Sequence, residues 1–481
     1  MLHGGRNEAM RLLGLFRFSQ VRALVTTAAC MAVAAAVAFF PHYEGLSEAG
    51  HRALFVLIFS AGMWITEAIP AFATSLLAIG WLIALLGRPD GVFATGPKDW
   101  EQFITPWGSP LIWLFFGGFC LAESAEKTGL DRWLAARALG LFGQRPAMLL
   151  MGVMLVTAVL SMFVSNTATA TLVLAMMTPL FAAREPHDGV SRALALGVAF
   201  AANVGGMGTV IGTPPNAIAA GLLRGDSAVN FAEWMLIAVP PAIVLLAVTW
   251  LYLVLVHMRK SAFSQADGIL FHPGVASDAA PLYKQQVVVG TFVVTVGLWM
   301  TSPLHGLPTT LISFVPIVAL TTTGILSGED IRGLPWDILL LITGGLSLGV
   351  AMEKTGLAAW AVEQLPLGGL PPVGLAIGFG YATIVMSNLM SNTATANLVL
   401  PIAIAVLGGM EATGGDARLA VPIALSASAA MCLPISTPPN AIVYGSGRLR
   451  VADMLKGGLV VGLLAPPLVT LWAWLAIGWL S

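Results

Sequence analysis

The hexapeptide Ser-Asn-Thr-Ala-Thr-Ala at Ser165–Ala170 recurs unchanged at Ser391–Ala396, each copy a small polar island near the middle of an apolar run, 147–183 and 372–408. About 20 residues suffice for a helix to cross a bilayer, so both runs are too long for one crossing. A helix that enters, turns at a polar tip and leaves by the same side explains both the length and the island. A second repeat, Thr-Pro-Pro-Asn-Ala-Ile, interrupts the apolar runs 191–222 and 417–446 at Thr213–Ile218 and Thr437–Ile442. Two consecutive prolines remove two backbone donors and break a helix. Non-helical backbone at membrane depth is tolerated only where protein buries it or it lines a cavity.

The copies are in register. Glu-Lys-Thr-Gly-Leu occurs at Glu126–Leu130 and Glu353–Leu357, with a Gly-Gly pair (Gly117-Gly118, Gly344-Gly345) nine residues before each Glu. Glu126 to Glu353, Ser165 to Ser391 and Thr213 to Thr437 are separated by 227, 226 and 224 positions. The chain is an internal duplication. Only 10% of its residues are charged and 57% are hydrophobic, with a mean hydropathy of +0.86. Soluble domains carry about 25% charged residues, so the chain reads as an all-α polytopic membrane protein. A net charge of −1 leaves no basic surface for nucleic acid. Cys30, Cys120 and Cys432 are far apart in apolar runs and read as inert buried thiols.

Apolar segments predict helices near 23–40, 53–70, 72–87, 110–122, 147–183, 191–222, 232–257, 285–300, 309–326, 336–351, 372–408, 417–446 and 457–480. This pattern predicts eleven crossings and two re-entrant hairpins. Arg6, Arg11, Arg17 and Arg22 place the N-terminus in the cytoplasm, ahead of a retained first helix rather than a cleaved leader. Arg259 and Lys260, then Arg448, Arg450 and Lys456, fall inside by the same count. Arg132, Arg137, Arg145 and Arg184 flank the first hairpin inside, whereas Glu363, Glu411 and Asp416, with Arg418, flank the second outside. The C-terminus ends outside.

The expected organisation is an N-terminal segment and first helix (1–52), a first repeat (53–257, tip 165–167, break 212–216), and a cytoplasmic loop (258–284). A second repeat (285–446, tip 391–393, break 436–440) and a C-terminal helix (447–481) complete it. One hairpin opens inward and the other outward, so the repeats are inverted. Inverted repeats with broken helices near the midplane are the signature of a secondary transporter.

A pseudo-twofold axis in the membrane plane would bring the two tips into one site. Ser, Asn and Thr offer neutral donors and acceptors. Helix N-termini favour anions, and carbonyls at broken helix ends coordinate small cations. The motifs contain no Lys or Arg, so a bound anion needs co-bound cations to offset its charge. Ser161 lies one helical turn before Ser165, and Ser387 one turn before Ser391. Symmetry thus predicts one cation cluster at Ser161, Ser165, Asn166 and Gly212. Its mirror is Ser387, Met390 (through its backbone carbonyl), Asn392 and Ser436.

The duplicated tips, the duplicated breaks and Trp-Ile-Thr-Glu-Ala-Ile-Pro at Trp64–Pro70 together resemble the divalent anion:sodium symporter family, of the bacterial sodium-coupled dicarboxylate type. The resemblance covers nearly the whole chain. It implies a homodimer in the cell inner (plasma) membrane, each protomer with a scaffold and a transport domain moving by an elevator mechanism. It implies that Ser165, Asn166, Thr167, Ser391, Asn392, Thr393, Thr437 and Pro438 contact a dicarboxylate of the succinate, malate or fumarate type, and that sodium ions, co-transported, occupy the two clusters. The alternatives are a sodium-independent dicarboxylate exchanger, or a symporter for citrate or sulfate. An exchanger would be expected to carry changed or charged residues around the cation clusters, and the sequence shows none. No paired carboxylates, metal ligands or nucleophile motif support an enzyme.

Other features have plainer readings. Glu126-Lys127 and Glu353-Lys354 mark a repeated corner near the headgroups. Glu67 is divided between a structural anchor and a proton or ion role. His187, His257, His272 and His305 show no metal spacing.

Overall fold

The structure, a computed structural model, describes residues 2–89, 91–92, 96–142, 145–185, 187–223, 225–259, 280–364, 371–408 and 415–480. The inter-repeat connection 260–279, with Lys260 and His272, lies outside the described residues, as does Glu411. Among the described residues the regular elements are helices. The first half runs α1 (Leu2–Phe39), α2 (Glu48–Thr66), α3 (Ala71–Leu85), α4 (Pro110–Thr128), α5 (Leu130–Leu139), α6 (Pro146–Ser161), α7 (Asn166–Ala182), α8 (Gly189–Gly206), α9 (Pro214–Leu222) and α10 (Phe231–His257). The second runs α11 (Leu282–Met300), α12 (Ser302–His305), α13 (Thr309–Thr322), α14 (Gly328–Gly333), α15 (Trp336–Lys354), α16 (Leu357–Gln364), α17 (Pro372–Leu389), α18 (Asn392–Gly408), α19 (Gly415–Ser428), α20 (Pro438–Gly445) and α21 (Val451–Leu480).

Among the described residues, seven helices, within 21–39, 48–66, 189–206, 231–257, 336–354, 372–389 and 451–479, are long and apolar enough to cross a membrane, and several shorter apolar helices accompany them. Both over-long runs divide at the repeated hexapeptide, α6 from α7 and α17 from α18. Both proline-interrupted runs divide at Thr-Pro-Pro-Asn, α8 from α9 and α19 from α20. The order α4 to α10 is repeated element for element by α15 to α21, which puts the C-terminal helix in the position α10 holds in the first half.

Local chemistry sets the ends. Asp188 caps α8 by accepting from the amides of Val190 and Ser191. Asn230 and Glu233 form a reciprocal capping box on α10. The repeated Glu-Lys-Thr-Gly-Leu is a helix stop. Gly129 (φ 69°) follows α4 and Gly356 (φ 76°) follows α15, each in the left-handed conformation that a glycine adopts without steric cost.

The chain divides into two compact units, one of residues 1–107 with 340–366, the other of 108–339 with 367–481. In the first, α1 packs on α2 and α2 on α3, and the Ser347 hydroxyl donates to the Phe103 carbonyl at 2.8 Å. The second holds both hexapeptides and both breaks. Its packing is reciprocal: α6 and α7 flank α8 as α17 and α18 flank α19. The halves also exchange partners, since α9 packs on α18 and α19 while α20 packs on α7 and α8.

Candidate functional site

Each tip begins with a serine cap. Ser165 Oγ accepts from the Ala168 amide and Ser391 Oγ from the Ala394 amide, both at 3.2 Å. The next two residues, Asn166–Thr167 and Asn392–Thr393, supply amides that precede the helical ladder and have no carbonyl partner within their helix. Each capping hydroxyl, having accepted, keeps its proton to give. Ser165 and Thr167 are exposed, while Asn166, Ser391, Asn392 and Thr393 are half-buried.

Around the first tip, Ser161 Oγ lies 2.6 Å from Asn166 Oδ1 and 2.8 Å from the Ala202 carbonyl. One hydroxyl proton faces two acceptors, which leaves a group of three oxygens with spare lone pairs, a fit for a small hard cation. The Asn166 side chain is pressed on Gly206, where a Cβ would lie 2.6 Å from Oδ1. Gly212 in turn abuts the Gly206 carbonyl. Ser161, Asn166 and Gly212 are therefore gathered around Gly206. The Ser165 side chain turns instead to its own helix. The Thr209 hydroxyl donates to the Met162 carbonyl and ties the hairpin to the break.

The mirror cluster is arranged differently. Ser387 Oγ and Asn392 Oδ1 are buried with no hydrogen-bond partner among the described residues. Met390 is extended (φ −138°, ψ 174°), between α17 and α18. Ser436 Oγ donates to the Leu433 carbonyl at 2.8 Å and accepts from Asn440 Nδ2 at 3.2 Å. Among the described residues no hydrogen bond joins these four to one another. Asn388 takes over the tie to the break, its Oδ1 accepting from the Cys432 amide at 2.8 Å.

The breaks are held by a residue type that sequence reasoning did not single out. Asn216 Nδ2 reaches the carbonyls of Gly206 (2.9 Å), Met207 (3.3 Å) and Thr209 (2.8 Å). Asn440 Nδ2 reaches the carbonyls of Met431 (3.1 Å) and Leu433 (3.0 Å). Both asparagines are fully buried, and each satisfies carbonyls freed where the helix unwinds. The signal was present, as the fourth residue of both Thr-Pro-Pro-Asn copies. The prolines have a second effect. At the first two positions of α9 and α20 they carry no N–H. The unpaired helix-start amides therefore lie at the tips, and the breaks offer dipole and hydroxyls. Thr437, buried, caps α20 by accepting from the Asn440 amide at 3.3 Å; Thr213 makes no such bond, and Pro438 is exposed.

Glu67 is exposed and ends α2 in the left-handed region (φ 47°). Lys127 pairs with Asp330 across the corner after α4. Burial would raise the Asp330 carboxyl, but the Lys127 ammonium and the Ser327 hydroxyl and amide outweigh it and hold it at about 2. Burial also works to raise Asp188, and the amides and hydroxyl that it caps, with Arg184, bring it below its ordinary value. His187 lies 3.1 Å from the Arg448 carbonyl, and all three cysteines are buried free thiols.

Residues 55–417 match the model of the citrate transporter family. The sodium-dependent dicarboxylate transporter SdcS of Staphylococcus aureus is 33% identical over 470 residues, covering 90% of this chain and 87% of the relative. In structure, the YdaH transporter of Alcanivorax borkumensis superposes with a TM-score of 0.54 at 16% identity, covering 85% of this chain and 97% of that one. The MtrF efflux pump of Neisseria gonorrhoeae superposes at 0.51 and 15%, covering 79% and 82%. At these identities the two structures speak to the fold alone.

Proposed function

Because this chain belongs to the divalent anion:sodium symporter family of transporters, we propose that it imports dicarboxylates of the succinate, malate or fumarate type together with sodium. The observation that carries the reading is the exchange of partners in the second unit. Each post-proline helix seats against a hairpin helix of the other half; in this reading the neutral amides, hydroxyls and unpaired oxygens of both halves serve one site. No Lys or Arg stands in either motif. A dianion held only by neutral groups needs counter-charge, and two oxygen clusters next to the tips are where sodium supplies it. Ser165, Asn166, Thr167, Ser391, Asn392, Thr393, Thr437 and Pro438 contact the carboxylates. Sodium takes Ser161, Ser165, Asn166 and Gly212 on one side, and Ser387, Met390, Asn392 and Ser436 on the other.

In this reading the protein is a homodimer in the inner membrane, N-terminus cytoplasmic and C-terminus outside, and the loaded site crosses by an elevator movement. The dicarboxylate named for the SdcS relative supports the substrate class. The test is labelled succinate uptake into proteoliposomes with sodium or choline outside, with and without internal dicarboxylate, and with citrate or sulfate as competitor. Uptake into empty vesicles that requires sodium and resists sulfate is expected. Uptake only into preloaded vesicles, indifferent to sodium, would make the protein an exchanger and overturn the symport reading.

A further inference from the structure

We propose that Asn203 is a positioning residue that makes Thr437, and not its repeat counterpart Thr213, the anion-facing hydroxyl of the two breaks. Asn203 lies on α8 in the first half and is buried. Its two Nδ2 protons go to Thr437 Oγ1 and Asn440 Oδ1, each at 3.1 Å, in the second half. Thr437 Oγ1 also accepts from the Asn440 amide at 3.3 Å. A hydroxyl has two acceptor sites and one proton. With both acceptor sites taken, Thr437 can only donate. A carboxylate only accepts, whereas a sodium ion needs a free lone pair, so this hydroxyl is set for the anion and against the cation.

The first half lacks the device. The spacing that relates Thr213 to Thr437 relates Asn203 to Ala427, which has no donor. Accordingly Asn216 Oδ1, the counterpart of Asn440 Oδ1, is buried with no partner among the described residues, and Thr213 makes no capping bond. One substitution in a duplicated chain thus gives two near-identical breaks different chemistry.

The inference rests on the reading that Thr437 touches the substrate, and a double-mutant cycle separates the two. Asn203→Ala, Thr437→Val and the double variant are reconstituted, and succinate KM, Vmax and the half-saturating sodium concentration at saturating succinate are measured. Asn203→Ala should raise succinate KM about tenfold, the loss of one bond to a charged group, with the sodium value unchanged. The double variant should be no worse than Thr437→Val alone. If Asn203→Ala does not reconstitute, the similarly sized Asn203→Leu serves. It removes both donors and adds no charge, so KM should again rise without a change in sodium dependence. Thr437→Val with unchanged KM would sink the site reading itself. A raised KM in Thr437→Val but not in either Asn203 variant, multiplicative effects in the double, or a parallel loss of sodium affinity would overturn the role of Asn203.

Discussion

Asn216→Ala isolates the brace at the first break. The amide has two protons to share among three carbonyls. After truncation Met207 keeps a bond from Trp234 Nε1 at 3.1 Å, and Thr209 keeps one from the Gly212 amide at 3.2 Å. Gly206, the last residue of α8, is left with a buried carbonyl and, among the described residues, no other hydrogen bond to it. One stranded carbonyl costs about 1–3 kcal/mol and one further lost bond about 1 kcal/mol. The sum is about 2–4 kcal/mol, which for a chain of 481 residues is a fall in melting temperature of about 2–4 °C. Gly206 also backs the Asn166 side chain, so movement of its carbonyl should weaken sodium dependence as well. The assay is thermal unfolding of purified protein in detergent, with uptake at graded sodium. Asn440→Ala should cost more, because it additionally strands the Asn203 donor. An Asn216→Ala protein that melts with wild type and keeps its sodium dependence would refute the brace.

Asn166→Ala and Asn392→Ala should each abolish uptake, because each removes groups assigned to both a cation and the substrate; near-normal uptake by either variant would break the paired-site account. Gly206→Ala places a methyl 2.6 Å from Asn166 Oδ1 and should raise the half-saturating sodium concentration several-fold while the protein stays monodisperse by size exclusion. Asp330 has its folded value lowered from 3.8 to about 2. Its contribution to stability is therefore present above pH 3.8 and is lost as pH falls toward 2; Asp330→Asn should remove that step from an acid titration of melting temperature and leave the rest of the curve in place.

Hydropathy and the repeats made most of the architecture legible. A polar island in an over-long apolar run marks a place where the helix must turn, and Ser-Asn-Thr supplies the cap that restarts it. Pro-Pro marks a break that no neighbouring propensity can repair. A helical turn relates Ser161 to Ser165, but the side chain that meets Ser161 is that of Asn166, at 2.6 Å, while Ser165 caps its own helix. The corner Glu-Lys-Thr-Gly-Leu was legible as well, since its glycine ends a helix whatever surrounds it. What sequence could not give are contacts between distant segments. Asn203 reaches Thr437 and Asn440 from the other half, and Ala427 at the matching position gives no sign of it. The two units escape for the same reason, because the first joins residues 1–107 to 340–366 across both halves. The symmetric prediction also hid an asymmetry: the Ser161–Asn166 group shares a proton, whereas Ser387 and Asn392 have none of that pairing.

The central claim is that two halves of a duplicated chain each supply a sodium cluster to one anion site. It is tested most directly by initial rates of succinate uptake against external sodium in proteoliposomes, for wild type, Ser161→Ala and Ser387→Ala. Wild type should respond sigmoidally, with a Hill coefficient near 2 for two interacting sites, and each variant should flatten toward a hyperbola. A hyperbolic wild type, or variants that leave its curve unmoved, would contradict the claim.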